Sequence, residues 1–294
     1  MLFKGKTICI TGGTGSLGKA LVDRLIETEC KRIIILSRDE YKQHLMRKEY
    51  SQENRIRYFL GNIRDKDRLF RAFDGVDYLI HTAALKQADI IDYNYQEAVK
   101  TNINGTQNVI DAAIDCGVKH VVFISSDKAV EPINFYGATK QIGEQLIKTG
   151  NIYSSGNTVF SIFRSGNFIN SRGSFTEMLW RMKYAGVKEV PIIHTNMYRY
   201  WINLEEASKN VLDVFLFNKP QIVVPTMYKA KITDIARMII PDCVFVPFSR
   251  YGNEKLDEKL WQIDECQFDR QYTKEMPKGY LYAYKPLETN IQRM

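Results

Sequence analysis

Residues 7–26 read TICITGGTGSLGKALVDRLI. The first five, TICIT, are a short apolar run rich in β-branched residues, the pattern of a strand covered on both faces in a parallel sheet. GGTGSLG follows without a break and sets glycines at 12, 15 and 18. The next stretch places Ala20, Leu21, Leu25 and Ile26 on one side of a helix. Strand, glycine turn and helix in this order are the setting in which such a turn binds a dinucleotide. Gly12 permits the tight turn, Gly15 lets the backbone approach a pyrophosphate, and Gly18 lets helix and strand pack closely. Thr14, Ser16 and Leu17 lie between them and join the expected contacts. The amides and positive dipole end of the helix then face the phosphates.

The second strand, RIIILSRDE, bears on which dinucleotide is bound. An acidic residue at the end of this strand holds the ribose hydroxyls of NAD. Here the strand ends in Ser37 and Arg38, and an arginine suits a 2′-phosphate, so the expectation is NADP. Asp39 and Glu40 come one and two residues too late to favour NAD.

Outward from this start, strands and helices alternate. A helix over Tyr41–Tyr50 is followed by a third strand and its loop, IRYFLGNIRD, which brings Asn62 and Ile63 toward the cofactor. A short helix covers Lys66–Phe73, and VDYLIHTAAL is a fourth strand ending in small residues. Ala83 there leaves room for a flat cofactor. TNINGTQNVIDAAIDCG is expected as one long helix ended by Gly117. HVVFISS is a fifth strand, and TVFSIFRSGN a sixth. The pattern predicts an α/β fold, a doubly wound parallel sheet with its active site along the carboxyl edge. The expected domains are a nucleotide-binding domain over 1–166 and a mainly substrate-binding lobe over 167–294, some elements of which return to the first domain.

The chemistry concentrates in SSDKAVEPINFYGATK, residues 125–140. Tyr136 and Lys140 are four apart, on one face of a helix. An ammonium beside a phenol lowers the phenol's pKa, so the pair can pass a proton at neutral pH. Both also belong to the expected cofactor contacts. Ser126, ten residues before the tyrosine, offers a hydroxyl for a substrate oxygen. Asp127 and Lys128 are adjacent groups able to act as acid and base.

Composition fits a globular enzyme: 294 residues, 45% hydrophobic and 26% charged. The five cysteines, Cys9, Cys30, Cys116, Cys243 and Cys266, have no C-x-x-C spacing and read as reduced thiols of a cytoplasmic protein. His81, His120 and His194 form no metal pattern, so no metal is expected. Residues 1–10 carry lysines and lead into the first strand, so no signal peptide is expected. No apolar run has the length of a membrane span. The net charge is +7, yet no basic run or nucleic-acid module is present. A basic surface and an anionic small substrate explain the charge, with neither nucleic acid nor membrane as a partner.

With these motifs in hand, the chain resembles the extended short-chain dehydrogenase/reductase family. Within that family it is most similar to inverting UDP-N-acetylglucosamine 4,6-dehydratases of polysaccharide biosynthesis. The carriers are ITGGTGSLGKAL, SRDEYKQHLMRKEY, HTAALK, TNINGTQNV, SSDKAVEPINFYGATK, NSRGS, MYRYWINLEEA and RYGNEKLDEKL. The resemblance implies a redox-neutral reaction on UDP-N-acetylglucosamine with tightly held NADP. Tyr136, helped by Lys140 and Ser126, would deprotonate the 4-hydroxyl during oxidation at carbon 4. Lys128 would then remove the proton on carbon 5, its pKa lowered by desolvation or neighbouring positive charge. Asp127 would protonate the departing 6-hydroxyl. The product would be a UDP-linked 6-deoxy-4-keto sugar of L configuration. Substrate contacts implied in the same way are Lys86, Asn167, Arg172, Ser174, Arg199 and Arg250, the last two as pyrophosphate clamps. A homo-oligomer is expected.

The chain departs from the family pattern in Asn62, where an aspartate is usual, and in AALKQADI, where AALKHVP is usual; the tail after Trp261 matches weakly. Three other readings stay open at this point: a retaining 4,6-dehydratase, a 4-epimerase and a non-catalytic NADP-binding regulator.

Overall fold

Thr7–Thr11 (β1) is the centre of the main sheet. It pairs in parallel with Arg32–Ser37 (β2) on one side and Tyr78–His81 (β4) on the other. Ile56–Leu60 (β3) extends the sheet past β2, and His120–Ser126 (β5) and Val159–Ser165 (β6) extend it past β4. Two further strands, Asn167–Phe168 (β7) and Glu189–Ile192 (β8), follow in the chain, then Tyr198–Ile202 (β9) and Ile222–Val223 (β10). With β10 against β6, the main sheet has seven strands in the order β10-β6-β5-β4-β1-β2-β3, all neighbours parallel. The order reverses direction between β1 and β4, which opens a crevice at their carboxyl ends. The computed structural model describes residues 2–248, 254–262, 265, 273–274, 276 and 280–283.

Helices cover both faces, which is why β1 is buried at every position. Ile8 and Ile10 join a core with Ser16–Ile26 (α1) and Glu40–Glu49 (α2), whereas Cys9 faces Lys66–Phe73 (α3). Two four-residue helices, Ala88–Ile91 (α4) and Tyr95–Ala98 (α5), follow β4. Gly105–Asp115 (α6) and Phe135–Tyr153 (α7) complete the second face. On α1 the buried set is Leu17, Gly18, Leu21, Val22 and Leu25. The face is therefore rotated from the expected one, leaving Ala20 and Ile26 partly exposed, because Leu204–Asp213 packs across this helix as well as the sheet.

The long helix expected over 101–117 differs in its first part. Val99–Asn104 is a π-helical turn, and α6 begins only at Gly105. The buried Asn102 accepts from Leu85 N–H (2.8 Å) and donates to Leu85 O (2.9 Å) and Thr139 Oγ1 (3.0 Å). A wider turn thus ties the exit of β4 to α7, beside the crevice. Gly117, at φ +68°, ends the helix as expected.

After residue 167 the chain divides between two places. Leu204–Asp213 (α9, after Phe175–Tyr184, α8) lies on α1, and β10 joins the main sheet. The remainder forms a second core around Trp180, Trp201 and Ile235, with Met227–Lys231 (β11) antiparallel to β9, and Ile232–Ile239 (α10) packed against α8. Val244–Pro247 (β12) pairs with β8; Thr273–Lys274 (β13) pairs with β11; Tyr280–Ala283 (α11) is near α10. The strand at β11 and that at β12 were not among the sequence expectations.

His81 and His120 are core residues. The Thr106 hydroxyl donates to Asn102 O (2.7 Å), so His81 Nε2 donates to Thr106 (3.1 Å) and its Nδ1 accepts from Thr11 (2.7 Å). Burial, with Lys140 adding to it, lowers the His81 pKa to about 3, and burial lowers that of His120 to about 4. Both rings therefore protonate in the unfolded chain, near pH ~6.5, before they do in the folded one. Stability is full above that pH and should fall as pH drops from about 6.5 toward 4, by up to ~1.4 kcal/mol per unit per histidine. Urea midpoints at pH 7.5, 6 and 5 check this, and His120→Gln should flatten the slope; a pH-independent midpoint over this range would contradict it.

Candidate active site

The glycine turn leads into a cleft of about 740 Å³ along the carboxyl edge. Gly12 has φ +69°, and a Cβ there would lie 2.7 Å from Thr82 Oγ1. A Cβ on Gly18 would lie 2.5 Å from Gly13 O, which is the close helix–strand approach expected of it. Gly15 is the residue before α1, and no acidic side chain occupies the first helical turn. This turn, with the open N-terminus of α1, fits the pyrophosphate of a dinucleotide. Thr14, Ser16 and Leu17 also line the cleft.

At the far end of the turn Ser37 is buried and its Oγ meets Thr14 Oγ1 at 2.7 Å. Arg38 is exposed and lines the cleft. Asp39 is committed elsewhere: it accepts from Lys42 N–H (2.9 Å) as the cap of α2 and pairs with Lys42 Nζ (2.7 Å). Those Lys42 contacts hold its carboxyl below the usual range. Asn62 lines the cleft, its Oδ1 accepting from Arg64 N–H (3.1 Å); Ile63 and Ala83 line it too.

The catalytic segment begins where β5 ends. Ser126 caps the 3₁₀ turn Asp127–Ala129 by accepting from Lys128 N–H at 3.3 Å. Asn134 caps α7, accepting from Gly137 N–H at 2.9 Å, which sets Tyr136 in the first turn. Gly137 is required for the approach, since a Cβ there would lie 2.3 Å from Lys128 O. Turn and helix thus meet, and their side chains form one chain of contacts. The Ser126 hydroxyl bonds the Tyr136 phenol and donates to Asp127 Oδ1 (2.8 Å), and Lys128 Nζ donates to the same Oδ1 (3.2 Å).

Two electrostatic expectations are corrected. Lys140 Nζ donates to Ile124 O (2.6 Å) and lies 4.0 Å from the centre of the Phe123 ring, and the cation beside the phenol is Lys128. Burial lowers Lys140 to about 7 despite Glu144. Burial raises the Tyr136 pKa, and the cation that opposes this is Lys128. Lys128 itself is not lowered. Burial alone would lower it, but Asp127 and Glu258 outweigh burial and raise it. Asp127 is raised, first by burial and further by Glu258, against the pull of Lys128. Asp127 is fully buried and does not line the cleft; Ser126, Lys128, Tyr136 and Lys140 do. Its Oδ2 has no hydrogen-bond partner among the described residues.

The residues anticipated at the substrate divide into groups. Lys86, Asn167, Arg172 and Ser174 line the cleft. Lys86 Nζ donates to Arg172 O (2.7 Å), and Arg172 N–H donates to Ser16 Oγ (3.0 Å), so the loop over 170–174 bridges both walls. Ser174 caps α8, accepting from Glu177 N–H at 3.2 Å. Arg199 is buried away from the cleft lining, donating to Tyr198 O (2.7 Å) and pairing with Glu254 (2.9 Å). This placement does not present it as a pyrophosphate clamp. Arg250 lies outside the described residues.

Residues 8–276 match the family described as polysaccharide biosynthesis protein. The chain belongs to this family. It is 41% identical over 274 residues to the inverting UDP-N-acetylglucosamine 4,6-dehydratase of Campylobacter jejuni, covering 92% of this chain and 82% of that one. It is also 36% identical over 243 residues to the UDP-glucose 4-epimerase of Rickettsia rickettsii, covering 78% and 71%. Among solved structures, Pen from Bacillus thuringiensis superposes with a TM-score of 0.85 at 36% identity, covering 90% of this chain and 86% of that one. The fold is shared with DesIV, a dTDP-glucose 4,6-dehydratase from Streptomyces venezuelae solved with NAD bound (TM-score 0.81, 18% identity, 98% and 97% covered). The resemblance to sugar dehydratases of the short-chain dehydrogenase/reductase type is borne out.

Within this member of the polysaccharide biosynthesis family, sequence reading missed two acidic residues. Glu254 lines the cleft, and Glu258 is buried with Oε1 3.7 Å from Lys128 Nζ. Both come from RYGNEKLDEKL, which carries the family resemblance, but nothing in its spacing points at Lys128. Among the described residues no helix is long and apolar enough to cross a membrane, and no His, Cys, Asp and Glu cluster could hold a metal ion. Cys9, Cys30, Cys116 and Cys243 are free thiols.

Proposed function

We propose that this chain is an inverting UDP-N-acetylglucosamine 4,6-dehydratase that uses NADP. The observation that carries the reading is the contact chain Tyr136–Ser126–Asp127–Lys128 at the carboxyl edge, beside a glycine turn shaped for a dinucleotide. Similarity to the Campylobacter dehydratase supports the substrate. A nicotinamide dinucleotide, when bound, would supply the hydride acceptor for carbon 4 and the hydride donor for carbon 6. Gly12, Gly15, Gly18, Arg38 and Asn62 would hold it, and Lys140 lines the same cleft.

Tyr136, as its phenolate, takes the proton of the 4-hydroxyl, with the Lys128 cation and the Ser126 hydroxyl favouring that form. The 4-keto group then acidifies carbon 5. Lys128 takes the carbon 5 proton; the C–H pair forms the double bond to carbon 6, and the carbon 6–oxygen pair leaves with the hydroxyl, protonated from Asp127. Because Asp127 is buried, its proton reaches the cleft through Ser126 or Lys128, both of which touch it and line the cleft. Reprotonation of carbon 5 from the opposite face sets the L configuration. Assembly as a cytoplasmic homo-oligomer belongs to the same proposal.

Incubation with UDP-N-acetylglucosamine, followed by mass and proton NMR analysis, tests it. Loss of one water with inversion at carbon 5 supports the reading, and loss without inversion makes the enzyme a retaining dehydratase. An isomer of unchanged mass makes it a 4-epimerase, the reading favoured by the Rickettsia relative. An unchanged sugar beside bound dinucleotide leaves the NADP-binding regulator.

Cofactor choice is tested separately. Arg38→Asp should weaken NADP binding about 10- to 100-fold, the loss of a charged hydrogen-bonded contact. It should favour NAD in return, since Asp39 is occupied as a helix cap. Calorimetric titration with both dinucleotides measures the change, and release of NAD from the denatured wild-type protein would defeat the assignment.

A further inference from the structure

Residues 254–260 lie across the catalytic turn and are fastened at several points. Lys255 Nζ donates to Val130 O (2.5 Å), Lys259 pairs with Glu131 (2.6 Å), and Leu256 O accepts from Tyr198 N–H (2.7 Å). Arg164 Nη1 donates to Leu260 O at 2.8 Å. These ties seat the Glu258 side chain, 4% exposed, behind Lys128. Its Oε1 is 3.7 Å from Lys128 Nζ and 3.9 Å from Arg199 Nε, and its Oε2 accepts from Lys255 Nζ at 3.0 Å.

We propose that Glu258 is a positioning residue for the Asp127–Lys128 pair, holding the Lys128 ammonium at the edge of the cleft and biasing which member of the pair carries their shared proton. The inference rests on the dehydratase reading and deepens it. Elimination needs Asp127 protonated and Lys128 neutral, which differs from the ion pair Asp127⁻/Lys128⁺ only by transfer of one proton. The elimination step moves one proton from carbon 5 to Lys128 and one from Asp127 to the departing hydroxyl, so it ends in the ion pair. A third carboxylate beside Lys128 stabilises that end state's ammonium and disfavours its Asp127 carboxylate.

The charged and titratable groups around Lys128 are Asp127 beside it, Glu258 and Glu254 behind, Arg199 from β9, and Tyr136 from α7. Burial alone would raise Glu258, but Lys128, Lys255 and Arg199 hold it below the usual range, so it stays ionised at neutral pH. Arg199 is thereby given a function other than phosphate binding, as one of three cations, with Lys128 and Lys255, that keep Glu258 charged.

The test is an NMR titration of the holoenzyme with labelled lysine, the Lys128 signal assigned from Lys128→Gln. In Glu258→Gln, which keeps size and hydrogen-bonding ability, Lys128 should lose its proton at a proton concentration tenfold or more higher, a fall of about one pKa unit or more. Glu258→Asp should recover part of the shift and serves if the glutamine variant does not fold. The pH profile of kcat for elimination should move with the titration while KM stays unchanged. An unmoved Lys128 titration, or a kcat lowered equally at every pH, overturns the proposal. A shifted titration in a protein whose wild type eliminates no water upholds the Glu258–Lys128 coupling and places the failure in the dehydratase reading.

Discussion

Lys128→Ala is expected to stop elimination while leaving oxidation at carbon 4 possible but slower, since Lys128 is also the cation that opposes the raised Tyr136 pKa. Lys128 lines the cleft at the edge of the turn, whereas Tyr136 and Ser126 keep their own hydrogen bond without it. Tyr136→Phe should block the earlier step, because no phenolate can form to take the 4-hydroxyl proton. General acid–base groups contribute ~100- to 10,000-fold in rate, so both losses should be large. The cofactor separates them. In a single turnover, reduced dinucleotide should accumulate in the lysine variant and not in the tyrosine variant. Exchange of the carbon 5 proton with deuterated solvent should vanish in both. Near-normal turnover and exchange in Lys128→Ala would remove Lys128 as the base and leave Asp127, acting through water, in its place. Because the alanine also strands the buried Asp127, thermal unfolding of the variant should accompany the kinetics.

Glu144→Ala should cause the largest loss of stability. Glu144 and Arg164 are both fully buried, and their side chains meet twice, at 3.0 and 2.6 Å. The same carboxylate accepts from Ser125 Oγ at 2.5 Å, the residue before Ser126. Arg164 also reaches Glu265 at 2.7 Å and so ties β6 to the chain beyond the second core. Removing Glu144 leaves a guanidinium without its bidentate partner and a hydroxyl without its acceptor. Breaking a buried pair from one side costs ~3–5 kcal/mol. Glu144→Met with Arg164→Met together should cost less than Glu144→Ala alone, since neither charge is then stranded. Urea unfolding measures both, and a loss below ~1 kcal/mol for the single variant would show that Glu265 suffices for Arg164. Lys140 offers a second readout, because Glu144 is the group that opposes its lowered pKa.

Much of the site was legible because its parts are local. The glycine turn specifies its own conformation: Gly12 needs a positive φ and Gly18 has no room for a Cβ. The residues from Ser126 to Lys140 are carried by one strand end, one turn and one helix start, so their spacing alone brings Ser126, Asp127, Lys128 and Tyr136 together. Residue type alone was enough to single out Arg38 at the end of β2, where it is exposed at the cleft. Arg199 was misread for the opposite reason. An arginine suits phosphate anywhere in a sequence, and nothing local reveals that Glu254, 55 residues later, pairs with it. The π turn at Val99–Asn104 escaped notice because periodicity cannot distinguish it from the first turn of α6, whereas the three hydrogen bonds of Asn102 can.

The sequence by itself determined the parallel sheet, the phosphate turn and the residue types of the catalytic segment. These follow from backbone sterics and from periodic apolar patterns, both of which act over a few residues. Tertiary structure alone decided the protonation of that segment. Desolvation and charge are summed over every neighbour in space. Asp127 is raised by its burial and by Glu258 from the distant 254–260 segment, and Lys128 is raised because Asp127 and Glu258 stand beside it and outweigh burial. Lys140 is lowered to about 7 because burial outweighs Glu144, and the cation that opposes the raised Tyr136 pKa is Lys128.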